Sequence, residues 1–82
     1  MFEAVWQRLT LAQRGVLRAV VLEQGARILG ADTRARHRLG AASSVQTSLA
    51  ALLRLDLIVR EDDGRYLVVD SLMREWIARK TY

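Results

Sequence analysis

The fold is decided by the stretch SSVQTSLAALLRLDLIVREDDGRYLVVD, residues 43–70, in which the periodicity of the apolar residues changes once. The apolar residues of its first half are Val45, Leu49, Leu52 and Leu53. They recur every three or four positions, which is the spacing of one face of an α-helix. In the second half, the runs LIVR and YLVV flank the turn signal DDG, a pattern typical of a β-hairpin. The stretch therefore predicts a helix over 43–55 and a hairpin over 57–69.

Two helices are predicted at the start of the chain, over 1–9 and 10–24. The apolar stripe of the second comprises Val16, Leu17, Val20 and Val21. At the start of this helix, Thr10 and Gln13 have the spacing of a capping box, in which each side chain accepts a hydrogen bond from a free backbone N–H group. Gly25 is expected to end the helix, because glycine adopts the left-handed conformation at little cost.

A third, short helix is predicted over 31–39, after an extended link over 26–29. Asp32 or its neighbour is expected to cap this helix, because a short polar side chain can accept a hydrogen bond from a free N–H group of the first turn. Leu39 is expected to be its buried exit residue. Gly40 then offers the left-handed turn that leads to the next helix.

The helix over 43–55 is expected to begin with a second capping box, formed by Ser43 and Gln46. The residues predicted to face outward are Ser44, Gln46, Thr47, Ala50 and Arg54. Two helices joined by a tight glycine-containing turn, the second with small polar residues at its exposed start, match a helix-turn-helix unit.

A last helix is predicted over 71–80, with Asp70 as its N-cap. Its expected apolar face comprises Leu72, Met73, Trp76 and Ile77. The predicted order of helices and hairpin is that of a winged helix-turn-helix domain, a mainly α fold in which the hairpin is the wing. The 82 residues suit one such domain and are too few for two.

The positive charge of the chain is concentrated in one segment. The net charge is +4, and residues 33–55 hold four arginines and no acid, while acids and bases cancel elsewhere. A local basic patch of this kind is the electrostatic footprint of a protein that binds the phosphate backbone of nucleic acid. A solvated face on an arginine-rich protein is the alternative interpretation.

No catalytic chemistry is indicated by the sequence. It contains no G-x-x-x-x-G-K-[ST] loop for phosphates, and its single histidine without any cysteine offers neither a zinc site nor a Cys–His pair. We therefore expect no enzyme activity, cofactor or metal. The absence of cysteine and of any long apolar run favours a cytoplasmic protein that does not span a membrane.

The chain resembles the C-terminal winged-helix domains of prokaryotic P-loop ATPases of the AAA/STAND type, often called archaeal ATPases. The matching segments are residues 6–9, 13–17, 39–45, 49–60 and 66–70, with Trp76 after them. Where that family usually has a glycine before the first wing strand, this sequence has Asp56, and Ser71 replaces its usual proline. The resemblance implies the fold, and it implies that any nucleotide site lies in a parent region outside this chain.

The first functional hypothesis is binding of double-stranded DNA, with the helix over 43–55 in the major groove. Candidate contacts to bases and phosphates are Arg34, Arg36, Arg38, Ser44, Gln46, Thr47, Arg54, Arg60 and Arg65. Glutamine can recognise adenine through two hydrogen bonds, and arginine can bind phosphates. The acidic run over 61–63, at the expected tip of the wing, opposes close contact with phosphates.

The second hypothesis is a docking or regulatory module that binds its own ATPase core or a partner protein. The third is a homodimer formed through the terminal helices. Candidate interface residues are Phe2, Trp6, Leu67, Val69, Trp76 and Ile77. The aromatic residues at the two ends could form one exposed apolar surface, or they could simply pack the first helix against the last.

Overall fold

Five helices and one antiparallel hairpin make up residues 2–80, the part of the chain that the computed structural model describes. The helices are α1 (Phe2–Arg8), α2 (Leu11–Leu22), α3 (Ala31–His37), α4 (Ala42–Arg54) and α5 (Ser71–Lys80). The strands are β1 (Ile58–Arg60) and β2 (Tyr66–Val68), with Ile58 opposite Val68 and Arg60 opposite Tyr66. The predicted fold class, mainly α with a small hairpin, is confirmed.

Helix α2 lies at the centre of the molecule and packs against α3, α4, α5 and β2. Its residues Leu17 and Val20 meet Leu52 of α4 and Ile77 of α5 in one core, where all four side chains are buried. Burying side chains of this size stabilises the fold by roughly 1.5–3 kcal/mol each. The core therefore fixes α4 and α5 against a common central helix.

The inward stripe of α4 differs from the sequence pattern in three positions. Val45, Leu49 and Leu52 are buried as predicted, whereas Leu53 is only half-buried at the edge of the stripe. Ser48 and Ala51 complete the buried face instead. Successive helical residues are rotated by about 100°, so a stripe that includes positions 48 and 52 leaves position 53 at its margin.

Two of the predicted helix caps are confirmed. The hydroxyl of Thr10 accepts a hydrogen bond from the N–H group of Gln13 at 3.1 Å, and Gln13 Oε1 accepts one from the N–H group of Thr10 at 3.0 Å. At the start of α5, Asp70 Oδ1 accepts hydrogen bonds from the N–H groups of Leu72 and Met73. Both caps involve residues close in sequence, which is why the sequence alone predicts them.

The capping predictions for α3 and α4 are wrong. Helix α4 begins one residue before Ser43, with Ala41 as an N-cap that has no side-chain hydrogen bond. Helix α3 begins after Gly30, which places Asp32 within the first turn rather than at the cap. A negative charge in the first turn still interacts favourably with the helix dipole. The tight turn between the two helices thus leaves Ser43 and Gln46 free of any capping role.

The link over 26–29 forms turns instead of the expected extended segment. Gly25, at its start, has a φ of 76° and accepts a hydrogen bond from the N–H group of Tyr66 at 3.2 Å. A Cβ atom at Gly25 would lie 1.8 Å from the carbonyl oxygen of Tyr66. Only glycine therefore permits this close approach of the loop to the wing, and α2 ends earlier, at Leu22.

The wing turns as the sequence predicts, although its strands are shorter. Gly64 has a φ of 89° and donates a hydrogen bond to the carbonyl group of Glu61 at 2.9 Å. Asp56, which precedes the hairpin, adopts the left-handed conformation with a φ of 59°. Glycine would be favoured there, since a side chain in this conformation adds steric cost.

The terminal helices pack internally. Trp6 is 6% exposed and Ile77 is fully buried, while Phe2 and Trp76 are half-buried against the core. The ring of Trp76 lies 6.2 Å from that of Phe2 and 6.0 Å from that of Trp6, between centroids, which is a favourable range for aromatic pairs. The prediction that Leu72 belongs to the apolar face of α5 is wrong, because this residue is 64% exposed.

Candidate nucleic-acid interface

The outward face of α4 is free of packing contacts, as predicted. Its exposed residues are Ser44, Gln46, Thr47, Ala50 and Arg54. The hydroxyl of Thr47 donates a hydrogen bond to the carbonyl oxygen of Ser43 at 3.0 Å, the back-bonding that threonine often adopts within a helix. The helix contains no acidic residue, so one side of it presents hydroxyl, amide and guanidinium groups without opposing charge.

The turn before α4 depends on two residues in the left-handed conformation. Arg38 ends α3 with a φ of 54°, and Gly40 has a φ of 83°. The exposed side chain of Arg38 lines a cleft with residues of α1, α2 and α5, and no residue of α4 contributes to that cleft. Arg38 therefore lies apart from the outward face of α4, although it is close to α4 in sequence.

The side chain of Arg34 forms hydrogen bonds with backbone groups of the protein itself. Its Nε atom donates to the carbonyl oxygen of Leu29 at 3.0 Å, and its Nη1 atom donates to that of Gly40 at 3.1 Å. The side chain is half-buried and joins the loop before α3 to the turn after it. A charged donor with two carbonyl acceptors stabilises both loops, and it fixes the orientation of the side chain within the protein.

Arg36 is neutralised by an acid from another helix. Its Nη1 atom lies 2.7 Å from Oε2 of Glu23, and the same oxygen lies 2.8 Å from Nε2 of His37. The hydrogen bonds with His37 and Arg36 hold the pKa of the Glu23 carboxyl below its ordinary value of 4.5. The basic segment of the sequence is thus opposed by an acid that follows α2, and sequence spacing gave no signal of this contact.

The wing carries charges of both signs. Arg65 lies beside Asp63, with Nε and Oδ2 3.6 Å apart, and Asp63 also accepts a hydrogen bond from the N–H group of Arg65. Arg60 is exposed and has no ion pair among residues 2–80. It shares a cleft of about 330 Å³ with Arg27, an exposed residue of the link before α3 that the sequence reasoning missed. Isolated in a loop, Arg27 belongs to no pattern that could have revealed it.

The residues predicted for protein docking lie in different environments. Trp6 and Ile77 belong to the core, so they offer no docking surface. Leu67 is half-buried, whereas Val69 is 53% exposed at the end of β2. Val69 lines a cleft of about 310 Å³ between α1, the wing and α5. An exposed apolar surface therefore exists at Val69, and Trp6 and Ile77 do not contribute to it.

Within residues 2–80, no group of three or more His, Asp or Glu side chains could hold a metal ion. The helices of this part of the chain are also too short and too polar to cross a membrane.

A family model described as a probable winged helix domain matches residues 1–79. The chain belongs to this winged-helix family. No curated protein and no solved structure matches it. The match agrees with the helices and hairpin described above, and it indicates no catalytic family.

Proposed function

We propose that this winged-helix domain binds double-stranded DNA, with α4 in the major groove. The outward face of α4 carries the proposal, since its polar side chains are exposed and the helix contains no acid. A helix of this width fits the major groove of B-form DNA, where base edges present distinct donors and acceptors. Because Arg34 and Arg36 already bond to groups of the protein itself, we expect the DNA contacts to come from α4 rather than from α3.

Each exposed residue of α4 has a role in this arrangement. Gln46 recognises adenine through its amide, and the hydroxyl of Ser44 donates to a base or a phosphate. Ala50 permits close approach of the helix to the groove and contacts a thymine methyl group. Arg54, at the end of the helix, binds a phosphate.

The remaining phosphate contacts come from the cleft between the wing and the link before α3. Arg27 and Arg60 line this cleft together and are both exposed. The acidic residues over 61–63 at the tip are exposed as well, and they disfavour insertion of the tip between phosphates. The side of the wing that carries Arg60, rather than the acidic residues of its tip, is therefore proposed to lie near the backbone.

A salt titration of binding to random-sequence duplex DNA tests the proposal. We expect affinity to fall linearly with salt on logarithmic axes, because bound arginines release counterions. Arg54→Ala should weaken binding and reduce the slope by about one unit. Arg79→Ala is the matched control, since Arg79 is also exposed but pairs with Glu75 on α5. Undetectable binding by the parent domain at low salt would remove the proposal.

The second candidate function is docking on an ATPase core, which the resemblance to ATPase C-terminal domains suggests. The exposed Val69 and the apolar cleft that it lines favour this candidate. Val69→Ser should weaken association with such a core while leaving DNA affinity and the melting temperature unchanged, because the side chain is exposed. Equal association by the variant in a sedimentation experiment would exclude this surface.

A further inference from the structure

A second basic cleft lies on the outward face of α2, with a volume of about 390 Å³. Leu11, Arg14 and Arg18 of α2 form one side of it, at spacings that place them on a single helix face. Arg38, at the end of α3, and Lys80, at the end of α5, complete the positive lining. None of the residues that line this cleft belongs to α4 or to the wing, so it is separate from the proposed DNA interface.

Within residues 2–80, no acid pairs with the arginine or lysine side chains of this cleft. Its lining contains no Asp or Glu residue. The nearest acid in the hydrogen-bond network, Glu23, is occupied by Arg36 and His37. Cations gathered in this way repel one another and attract an anionic ligand, because the concave surface focuses their field.

Two of these cations, Arg14 and Lys80, are held in place before any ligand arrives. Arg14 donates from Nε to the carbonyl oxygen of Trp6 at 2.9 Å and from Nη2 to that of Gln7 at 3.1 Å. Lys80 Nζ lies 5.2 Å from the ring centroid of Trp76, within the range of a cation–π interaction. Arg18 contributes a buried Nε atom without a hydrogen-bond partner in the described residues. Side chains already ordered in this way lose less entropy when a ligand binds.

The rim and the floor of the cleft give it an apolar element. Leu11 is a large apolar side chain that lies beside the arginines and is 81% exposed. Gly15, within α2, also lines the cleft, although glycine in a helix interior is less stable than alanine. A Cβ atom at Gly15 would meet only Leu39 Cδ2, at an ordinary 3.5 Å, so packing does not require glycine there. Its absent side chain leaves room at the floor of the cleft.

We propose that this cleft binds an acidic peptide segment of a partner protein, one that carries an aliphatic side chain among its carboxylates. The carboxylates would face Arg18, Arg38 and Lys80, in charge-assisted hydrogen bonds. The aliphatic side chain would cover Leu11. A nucleic-acid backbone supplies the negative charge but has no aliphatic group for that leucine, which favours a peptide as the occupant.

The test follows backbone amide signals of the labelled domain by NMR while the peptide Glu-Glu-Leu-Glu-Glu-Leu-Glu-Glu is added at low salt. We expect the shifts to concentrate at residues 11–18 and 37–39, and to be small over 44–54. The same peptide with serine in place of leucine should bind several-fold more weakly, because it lacks the apolar contact. Leu11→Ser should weaken binding of the leucine peptide to a similar extent, and it should fold normally because residue 11 is exposed.

Charge reversal separates electrostatic recognition from loss of folding. The double variant Arg18→Glu, Arg38→Glu should lose the acidic peptide by about tenfold or more, and it should gain affinity for the peptide Lys-Lys-Leu-Lys-Lys-Leu-Lys-Lys. Arg54→Glu is the matched control, which should keep the acidic peptide and lose duplex DNA. The two proposals can therefore fail independently of each other.

Four results would overturn the proposal. The first is an absence of shifts with the acidic peptide, and the second is a set of shifts confined to α4 and the wing. The third is self-association of the domain at low salt that Asp62→Asn, Asp63→Asn abolishes, because the occupant would then be the acidic wing of a second copy. Shifts at residues 11–18 that appear only with duplex DNA would equally replace the peptide with nucleic acid.

Discussion

The two helices of the helix-turn-helix unit use their polar residues in opposite ways. In α3, Arg34 donates to backbone carbonyl groups and Arg36 pairs with Glu23, so both arginines act within the protein. In α4, the outward residues from Ser44 to Arg54 are exposed, and apart from the Thr47 hydroxyl their side chains make no hydrogen bond within residues 2–80. Charge counted along a sequence therefore differs from charge available to a ligand. The arginine-rich helix α3 uses these arginines within the fold, and the arginine-poor helix α4 keeps its outward polar residues exposed.

The largest expected effect concerns the buried side of α4. Leu52→Ala should lower the free energy of unfolding by about 2–5 kcal/mol, because it removes a fully buried side chain and leaves a cavity. A domain of this size has a total of only ~5 kcal/mol or so. Urea denaturation measures the change, and Ala50→Ser on the exposed side of the same helix is the control. Similar stability of the two variants would show that the facing of α4 is wrong.

The next effect tests the structural role of α3. Arg34→Ala should lower the free energy of unfolding by about 1–3 kcal/mol, because two carbonyl groups lose a charged donor. Arg38→Ala should change it by no more than ~0.5 kcal/mol, as expected for an exposed side chain. Thermal unfolding of both variants provides the measurement. Equal melting temperatures of the two variants would show that Arg34 contributes no more to stability than Arg38 does.

DNA binding offers a second test of the difference between the arginines of α3 and α4. Arg54→Ala of α4 should reduce the slope of the salt titration by about one unit, whereas Arg36→Ala of α3 should leave the slope nearly unchanged. The reason is that Arg36 is already paired with Glu23 at 2.7 Å. Both substitutions remove one positive charge, so each serves as the control for the other. A larger change in the α3 variant would reverse the proposed roles.

A smaller effect is expected at the wing. Replacing Asp62 and Asp63 by asparagine should raise the non-specific affinity for DNA by a few-fold, since screened repulsion still acts at close range. The effect should fade as salt is added. Asparagine suits the same turn positions, so the melting temperature should hardly change. Anisotropy measurements at two salt concentrations test this, and a fall in affinity would show that the wing is not oriented as proposed.

The smallest expected effect is the pH dependence of the stability that Glu23 contributes through its bonds with Arg36 and His37. Because the pKa of Glu23 is lowered in the folded state, its contribution to stability is present above the ordinary value of 4.5 and is lost as pH falls through the folded pKa. Glu23→Gln should therefore be less stable than the parent at neutral pH, and the difference should shrink in acid. Unfolding curves measured at pH 7 and pH 3 test the sign. A difference that grows in acid would mean that the carboxyl is stabilised in its protonated form.

Sequence patterns predicted the elements that depend on neighbours along the chain. The Thr10 capping box and the Asp70 cap each involve groups within three residues, and both are present. The outward face of α4 followed from helical periodicity alone. The pattern at Ser43 failed, because the short turn after Gly40 starts α4 two residues earlier than a cap at Ser43 requires.

The candidate site was harder to predict, because its charges depend on contacts across the fold. Arg34 has a partner in Leu29 before its helix and another in Gly40 after it, and Arg36 meets Glu23 only when α2 and α3 pack together. No spacing rule reports whether an arginine points to solvent or to its own backbone. The same holds for the basic cleft on α2, whose lining comes from four helices or their ends.

The hydrogen bond between Gly25 and Tyr66 has a consequence for how the molecule folds. It joins positions about forty residues apart in the sequence, and contacts of such long range slow folding. The N–H group of Tyr66 is held at this junction between hairpin and helices. Its hydrogen exchange should therefore follow cooperative unfolding of the whole domain, whereas amides at the tip of the wing exchange through local opening.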